Sequence, residues 1–379
     1  MIFDYETLRL IWWALLGALL IGFAITGGFD LGVAILLPFL GKNDTERRII
    51  INSVGATWEG NQVWLVTAGG ALFAAWPMAY SVAFSGFYFA LLLTLFALFL
   101  RPIGFDYRSK LPSPTWRKNW DIALFIGGLV PSLIFGVAFG NLLEGVPFHF
   151  DNDMRIFYTG SFWALLNPFA IATGLVSLGM LIMHGAVYLQ IKTEGSINKA
   201  CKTTVTLFGL VTLIVFGLAG IWIANIDGYE ITSAIATNTY SNPLVKTVSK
   251  ASGLWLANYG HTPILWSIPA LAFLTGIATL ILSRFNRPGL GFITSSLMLA
   301  SIILTAGVSM FPFLIPSSSD LNSSLTVWDA SSSLGTLKIM FWVTLIFLPI
   351  VLSYTTWAFR VLRGKVTEKH IHQNDHTAY

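Results

Sequence analysis

The chain has 379 residues, 55% of them hydrophobic and only 11% charged. Soluble domains carry about 25% charged residues, so an ordinary soluble fold is excluded. The formal net charge of +4 comes without a basic, aromatic-interleaved patch, which excludes a nucleic-acid partner as the reason for it.

Nine apolar runs follow in chain order, at residues 8–40, 50–76, 79–100, 120–142, 162–189, 203–224, 264–282, 290–312 and 337–359. Each is long enough, at about 20 residues, to cross a bilayer as a helix. Lipid leaves helices and closed barrels as the only spanning structures, and long uniform runs do not read as barrel strands. The first run is over-long and holds Gly27-Gly28 ahead of Asp30, which predicts a kink or a protruding end. The second run is the least regular, because Asn52, Glu59, Asn61 and Gln62 dilute it. No positively charged leader precedes Leu8, so the first span is expected to be retained.

The charges between the runs give an orientation. Alternate loops hold Lys42, Arg47 and Arg48, then Arg101, Arg108, Lys110, Arg117 and Lys118, then Lys192, Lys199 and Lys202, then Arg284 and Arg287. The tail adds Arg360, Arg363, Lys365 and Lys369, which makes seventeen of the 22 cations. Arg9, Arg155, Lys246, Lys250 and Lys338 fall in the other set. The positive-inside rule then places the N-terminus outside and the C-terminus in the cytoplasm. The outer loops at 226–263 and 316–333 carry no metal or phosphate motif and are expected to act as lids. The tail beyond Arg360 is expected to be mobile. Cys201 is the lone cysteine, so no internal disulfide forms.

Ionisable groups at membrane depth are functional candidates. Asp30 and Glu59 each lie about ten residues from the inner ends of the first two spans, roughly 15 Å deep. The spans form a hairpin, so the two carboxylates are candidates to share a layer and a proton. For Glu59, a proton relay and a structural polar knot stand level. For Asp30, the knot is preferred, with its carboxylate satisfying backbone groups near Gly27-Gly28.

His184 is the only one of six histidines inside a span; His149, His261, His370, His372 and His376 are not. Haem iron takes His or Met ligands. One histidine without a matched partner reads better as a hydrogen-bonded structural group, and Met180 and Met310 read as packing. Asp106 and Lys110 are four residues apart past the inner end of the third run, so a helical turn puts them on one face. Their plain reading is a surface ion pair beside Arg101 and Arg108. Trp12, Trp13, Trp64, Trp76, Trp163, Trp222 and Trp266 sit near span ends, as interface belts do. On residues alone, a stand-alone proton-coupled transporter fits these features, as does a scaffold for a catalytic neighbour.

A resemblance goes further. Gly28-Phe29-Asp30-Leu31-Gly32, Asn43-Asp44-Thr45-Glu46-Arg47-Arg48 and Trp58-Glu59-Gly60-Asn61-Gln62-Val63-Trp64 resemble signatures of the cytochrome bd quinol oxidase subunit II family. So do Arg101-Pro102-Ile103-Gly104-Phe105-Asp106-Tyr107-Arg108-Ser109-Lys110, Gly136-Val137-Ala138-Phe139-Gly140-Asn141-Leu142 and Met310-Phe311-Pro312-Phe313. The likeness runs through essentially the whole chain in order. It implies an all-α membrane protein of nine helices, as two four-helix bundles plus one peripheral helix. The first bundle would occupy residues 1–142, the second 143–312, and the outer loop, last helix and tail 313–379.

The resemblance also implies a role in a respiratory oxidase of the bacterial inner membrane, which oxidises quinol and reduces dioxygen to water. The partner, subunit I, would carry haem b and haem d, with small single-helix subunits allowed. This chain would hold no catalytic group or metal, would have room for a structural quinone, and would feed protons. The motif match assigns Lys110 and Asp106 to proton entry and Glu59 to the inner relay; Asp30, Trp58, Asn61, Gln62, Arg101 and His184 are read as buried polar or structural residues. Two positions depart from the family pattern. Gly27 stands where many members have Asp, and Glu59 stands where Asp is commoner.

Overall fold

A computed structural model describes residues 4–373; His376 and the side chains of His370 and His372 lie outside the described residues. The chain begins with α1 (Tyr5–Leu40), capped where the Asp4 carboxylate accepts the Thr7 amide at 2.7 Å. At 1.5 Å per residue this helix is about 54 Å long, more than a bilayer core needs. It passes unbroken through Gly27-Gly28 and ends at Gly41. The protruding end is present: the first turns run into the loops beyond the bundle, with Arg9 bound to the 237–241 and 331 segments.

The second apolar run is not one helix. Asn43 caps α2 (Asp44–Val54), a short polar helix, by accepting from the Glu46 amide. A turn at Gly55-Ala56-Thr57 separates it from α3 (Trp58–Ala75). The third run is also divided. Pro77 opens α4 (Pro77–Gly86), which packs on the loops, and α5 (Tyr88–Tyr107) continues into a 3-10 turn at Arg108–Lys110. The span therefore reaches well beyond residue 100, because Pro102 is tolerated inside it.

The remaining helices are α6 (Pro114–Glu144), α7 (Pro168–Lys192), α8 (Gly195–Ile223), the short α9 (Ala257–His261), α10 (Ser267–Arg284), α11 (Pro288–Met310), α12 (Leu334–Val361) and α13 (Glu368–Gln373). Three antiparallel hairpins sit in the loops: β1 (Phe148–Phe150) with β2 (Ile156–Tyr158), β3 (Asp227–Ile231) with β4 (Val248–Ser252), and β5 (Phe313–Ile315) with β6 (Leu325–Thr326). Among the described residues, eight helices are long and apolar enough to span a membrane: α1, α5 with its turn, α6, α7, α8, α10, α11 and α12. The 18-residue α3, carrying Glu59, Asn61 and Gln62, is not among them.

At the centre α1 packs on α3, α6, α7, α11 and α12. Its crossing with α7 is backbone on backbone. A Cβ on Gly32 would overlap the Leu181 carbonyl, and one on Gly185 would overlap Gly32 and Val33 in return. Small residues permit this approach, which is how helices associate where lipid is as apolar as the side chains. In contrast, α12 buries only Leu337 along its 28 residues.

The loops segregate into two ends. At one end, Glu46 accepts from Ser196, Lys202 donates to Asn286, and Lys192 donates to the Leu362 carbonyl. With Arg108 donating to Asp44, these contacts join all five cation-rich segments. At the other end, Arg9 is fully buried and donates to Ser331, the Thr237 and Thr239 carbonyls, and Ser241. Val146 donates to the Pro316 carbonyl and Trp255 to the Leu143 carbonyl. The two long loops thus close over the bundle as lids on this chain. The tail differs from its expected mobility: Val366 donates to the Lys192 carbonyl, and Ile371 of α13 is 1% exposed.

Candidate functional site

The first turn of α3 distributes its polar side chains. Asn61, 3% exposed, donates to Asp30 Oδ2 on α1 at 2.8 Å. Gln62 accepts from Arg101 Nη1 on α5 at 3.3 Å. The Trp58 ring lies 5.6 Å from the Arg101 guanidinium carbon and stacks on Phe105 at 5.2 Å. Asp30 is completely buried and Arg101 is 1% exposed. Asp30 Oδ1 and Arg101 Nε and Nη2 have no protein partner among the described residues. A buried charge is costly unless hydrogen-bonded, so this cluster is concentrated polarity in an otherwise apolar region.

Glu59 turns the other way. It is exposed, as is Gly60 beside it, and its side chain has no hydrogen bond or ion pair among the described residues. The same bare stripe continues up α3 through Val63, Val66, Thr67, Gly70 and Phe73. The expected sharing of a proton between Asp30 and Glu59 is therefore corrected: Asp30 pairs with Asn61 while Glu59 faces out. Nor does Asp30 satisfy backbone groups at Gly27-Gly28, because the helix there is unbroken and its carboxylate is held by a side chain.

His184 is fully buried. Its Nε2 lies 2.9 Å from the Ile25 carbonyl and its Nδ1 2.8 Å from the Ser295 hydroxyl. A carbonyl only accepts, so Nε2 carries the hydrogen, and in the neutral ring Nδ1 shares the single Ser295 hydroxyl hydrogen with the Phe292 carbonyl, 3.0 Å from the same oxygen. The ring also stacks on Phe292 at 4.6 Å. Both nitrogens are engaged, so His184 has no free lone pair to offer a haem iron, and the residues here do not fit haem ligation. Met180 and Met310 are buried within apolar clusters.

Asp106 and Lys110 are both exposed, at the end of α5 and in the 3-10 turn that follows. No ion pair joins them among the described residues, and neither pairs with Arg101 or Arg108. Arg101 is committed to the inner cluster. Arg108 is 1% exposed and forks onto Asp121 of α6, Nε to Oδ1 at 2.6 Å and Nη2 to Oδ2 at 3.3 Å. Arg108 Nη2 also meets Asp44 at 3.0 Å. Arg47 adds to Asp121 at 2.8 Å, and Arg117 to Asp44 at 2.5 Å. Sequence reasoning missed this network, although Asp121 is the sole charge within the fourth apolar run. Next to it, the Glu46 carboxyl is held below the usual carboxylate range, chiefly by the Ser196 hydroxyl.

Fold and site together define a polytopic helical membrane protein with a buried charge cluster behind one outward-facing carboxylate. Residues 8–362 match the family model described as cytochrome bd terminal oxidase subunit II, and the chain belongs to that family. It is 54% identical over 377 residues to the cytochrome bd-I ubiquinol oxidase subunit 2 of Escherichia coli, covering 99% of this chain and 100% of that one. It is 31% identical over 363 residues to the cytochrome bd ubiquinol oxidase subunit 2 of Bacillus subtilis, covering 95% and 97%. The structure is also similar to that of the bd oxidase from Geobacillus thermodenitrificans, with a TM-score of 0.68 at 16% identity over 94% of this chain and 98% of that one. At that identity the likeness speaks for the fold.

Proposed function

We propose that this chain is subunit II of a membrane-bound quinol oxidase that reduces dioxygen to water, and that its own part is to support subunit I and to pass protons toward it. The haems, of types b and d, sit on subunit I. The observation that carries the proton reading is Glu59. A carboxylate exposed on the isolated chain, on a helix turn whose neighbouring Asn61 and Gln62 side chains turn inward, is placed to meet a group on the partner. Asp106 and Lys110 collect protons at the cation-rich end. Glu59 relays them, and Asp30, Trp58, Asn61, Gln62 and Arg101 form the polar wall behind it. Apolar faces such as that of α12 leave room for a structural quinone or a small single-helix subunit.

In this reading the cation-rich end is cytoplasmic, the protein lies in the bacterial inner membrane, and the N-terminus is outside. Helix α3 is the ninth span, since Ala75 at its end accepts from Ser332 in the lid loops while α2 joins the opposite end. The spans then group as two four-helix bundles, in residues 1–142 and 143–312, with α12 peripheral.

The test is Glu59→Gln in the assembled oxidase. The amide keeps size and hydrogen bonding but carries no proton. Oxygen consumption slows markedly with unchanged haem content, and Asp106→Asn slows it more mildly because surface water offers other donors. Wild-type turnover in Glu59→Gln across neutral and alkaline pH would remove the relay. Orientation is read with Ser113→Cys and Asn238→Cys against an impermeant thiol reagent in intact cells. Only the second reacts, and Cys201 stays silent because it is fully buried.

A further inference from the structure

The 3-10 turn that follows α5 needs outside support. Such turns have poor hydrogen-bond geometry and rarely exceed 3–4 residues. This one has no capping side chain, and Pro112 follows soon after it. Its support comes from elsewhere. Trp116 Nε1 donates to the Tyr107 carbonyl at 2.9 Å, and Arg117 Nε to the Leu111 carbonyl at 3.2 Å. At its centre Arg108 points inward and forks onto Asp121, with Asp44 on the same guanidinium. Arg47 closes the pair from α2. Two residues before and two after Arg108, the side chains of Asp106 and Lys110 are exposed and have no hydrogen-bond or ion-pair partner among the described residues.

The turn is thus pinned through its middle and its flanks while its two exposed charged tips are left free. A forked guanidinium–carboxylate contact fixes direction as well as distance, and buried pairs are screened far less than surface ones. Exposed pairs would hold little; Arg108 and Asp121, at 1% and 2% side-chain exposure, are not exposed. We propose that Arg108 and Asp121, closed by Arg47 and Asp44, are positioning residues for proton entry: they hold the turn against α6 and α2 so that Asp106 and Lys110 both stay exposed at the surface. Neither member of the pair carries the proton. This rests on the entry role assigned above to Asp106 and Lys110.

The test uses the assembled oxidase, with oxygen consumption followed from acid to alkaline pH and haem content checked by the visible spectrum. Asp121→Asn breaks the fork. It lowers turnover several-fold at alkaline pH, where protons are scarce, and approaches wild type in acid. A small diffusible buffer such as imidazole restores the alkaline rate, since it delivers protons without an ordered entry. Asp121→Glu retains most of the rate, and Asp106→Asn/Asp121→Asn is no slower than the slower single variant. A uniform loss at every pH that imidazole does not touch, or an unchanged profile, overturns the proposal. A defective Asp106→Asn beside a normal Asp121→Asn removes the positioning role alone. Normal profiles in both Asp106→Asn and Lys110→Met remove the entry reading, and this proposal with it. Should Asp121→Asn fail to assemble, Arg47→Gln removes one partly exposed arm of the network and gives the same readouts.

Discussion

Asn61 on α3 donates to Asp30 on α1 across 2.8 Å, and it is the one protein hydrogen bond made to that fully buried carboxylate among the described residues. Leaving a buried charged group without its partner costs about 1–3 kcal/mol or more. Asn61→Leu is therefore expected to lower the thermal midpoint of the purified complex. Arg101, the other buried charge of the cluster, still faces Asp30 in this variant, so the loss reads the bond itself. An unchanged midpoint would mean that the bond does not hold Asp30.

The Gly32–Gly185 crossing predicts an asymmetry along α1. Gly32→Ala places its Cβ against the Leu181 carbonyl, a backbone atom that cannot rotate away. Overpacking of this kind costs about 1–3 kcal/mol. Gly17→Ala on the same helix meets nothing within 4 Å, so it is expected to be neutral within about 0.5 kcal/mol. Thermal midpoints of the two variants, measured side by side, decide it. Equal effects would mean that α1 and α7 have slack at their crossing.

Much of this was legible in the sequence, and the reasons differ by residue. The apolar runs gave the helices, because length and hydropathy act locally. The polar residues of the second run marked the site for the same reason: Glu59, Asn61 and Gln62 are anomalies where only apolar residues are cheap. The direction in which each one points was not legible. It depends on where Asp30 and Arg101 arrive from α1 and α5, which is tertiary information. The break at Phe87 was hidden because its flanks remain apolar, while the one at Gly55 falls where Asn52 and Glu59 had already marked the run as irregular. Within Gly28-Phe29-Asp30-Leu31-Gly32 the glycines make close approaches to α7, so that signature is mostly packing with one charge inside it. The buried role of Arg108 could not be read, since a cation in a loop looks the same whether it orients the span or pins a turn.

His184→Gln is expected to leave every haem band of the complex in place, because both ring nitrogens are already spent on Ile25 and Ser295. Gln retains a donor and an acceptor, so assembly is kept. His184→Leu removes both ring contacts, leaving the Ser295 hydroxyl only its bond to the Phe292 carbonyl, and assembles less well. Loss of one specific haem band in an assembled His184→Gln complex would make His184 a ligand after all.

Glu46, in the first turn of α2, links the residues before that helix to the first turn of α8, accepting from Ser196 at 2.6 Å and from the Lys42 amide at 2.8 Å. These bonds hold its carboxyl below the usual range. A depressed value means that the contribution is present above the unfolded value, about 4.3, and is lost as pH falls through the folded one. The residue is partly exposed, so the effect is small. Acid titration of the thermal midpoint should show a shallow fall below about pH 4.3 that Glu46→Gln lacks. The same slope in both would assign it to other carboxylates.

Lys246 and Asp329 form an ion pair at 2.8 Å inside the loop lids, with side-chain exposures of 1% and 6%. Burial pulls the Lys246 amine below its ordinary range, and Asp329 pulls it back part of the way. Removing one member of a buried pair costs about 3–5 kcal/mol, whereas replacing both with apolar residues is often neutral or stabilising. Asp329→Asn should therefore lower the thermal midpoint strongly, and Lys246→Met/Asp329→Leu should recover most of it. The pH dependence has a defined sign. With the folded value of Lys246 below the unfolded one, near 10.4, the unfolded chain binds more protons in that window, so stability rises with pH there. The rise is steeper in Asp329→Asn, where Asp320 alone is left to oppose the desolvation, and absent in the double variant. A double variant as unstable as Asp329→Asn would show that the pair is a net stabilising contact rather than a compensated burial.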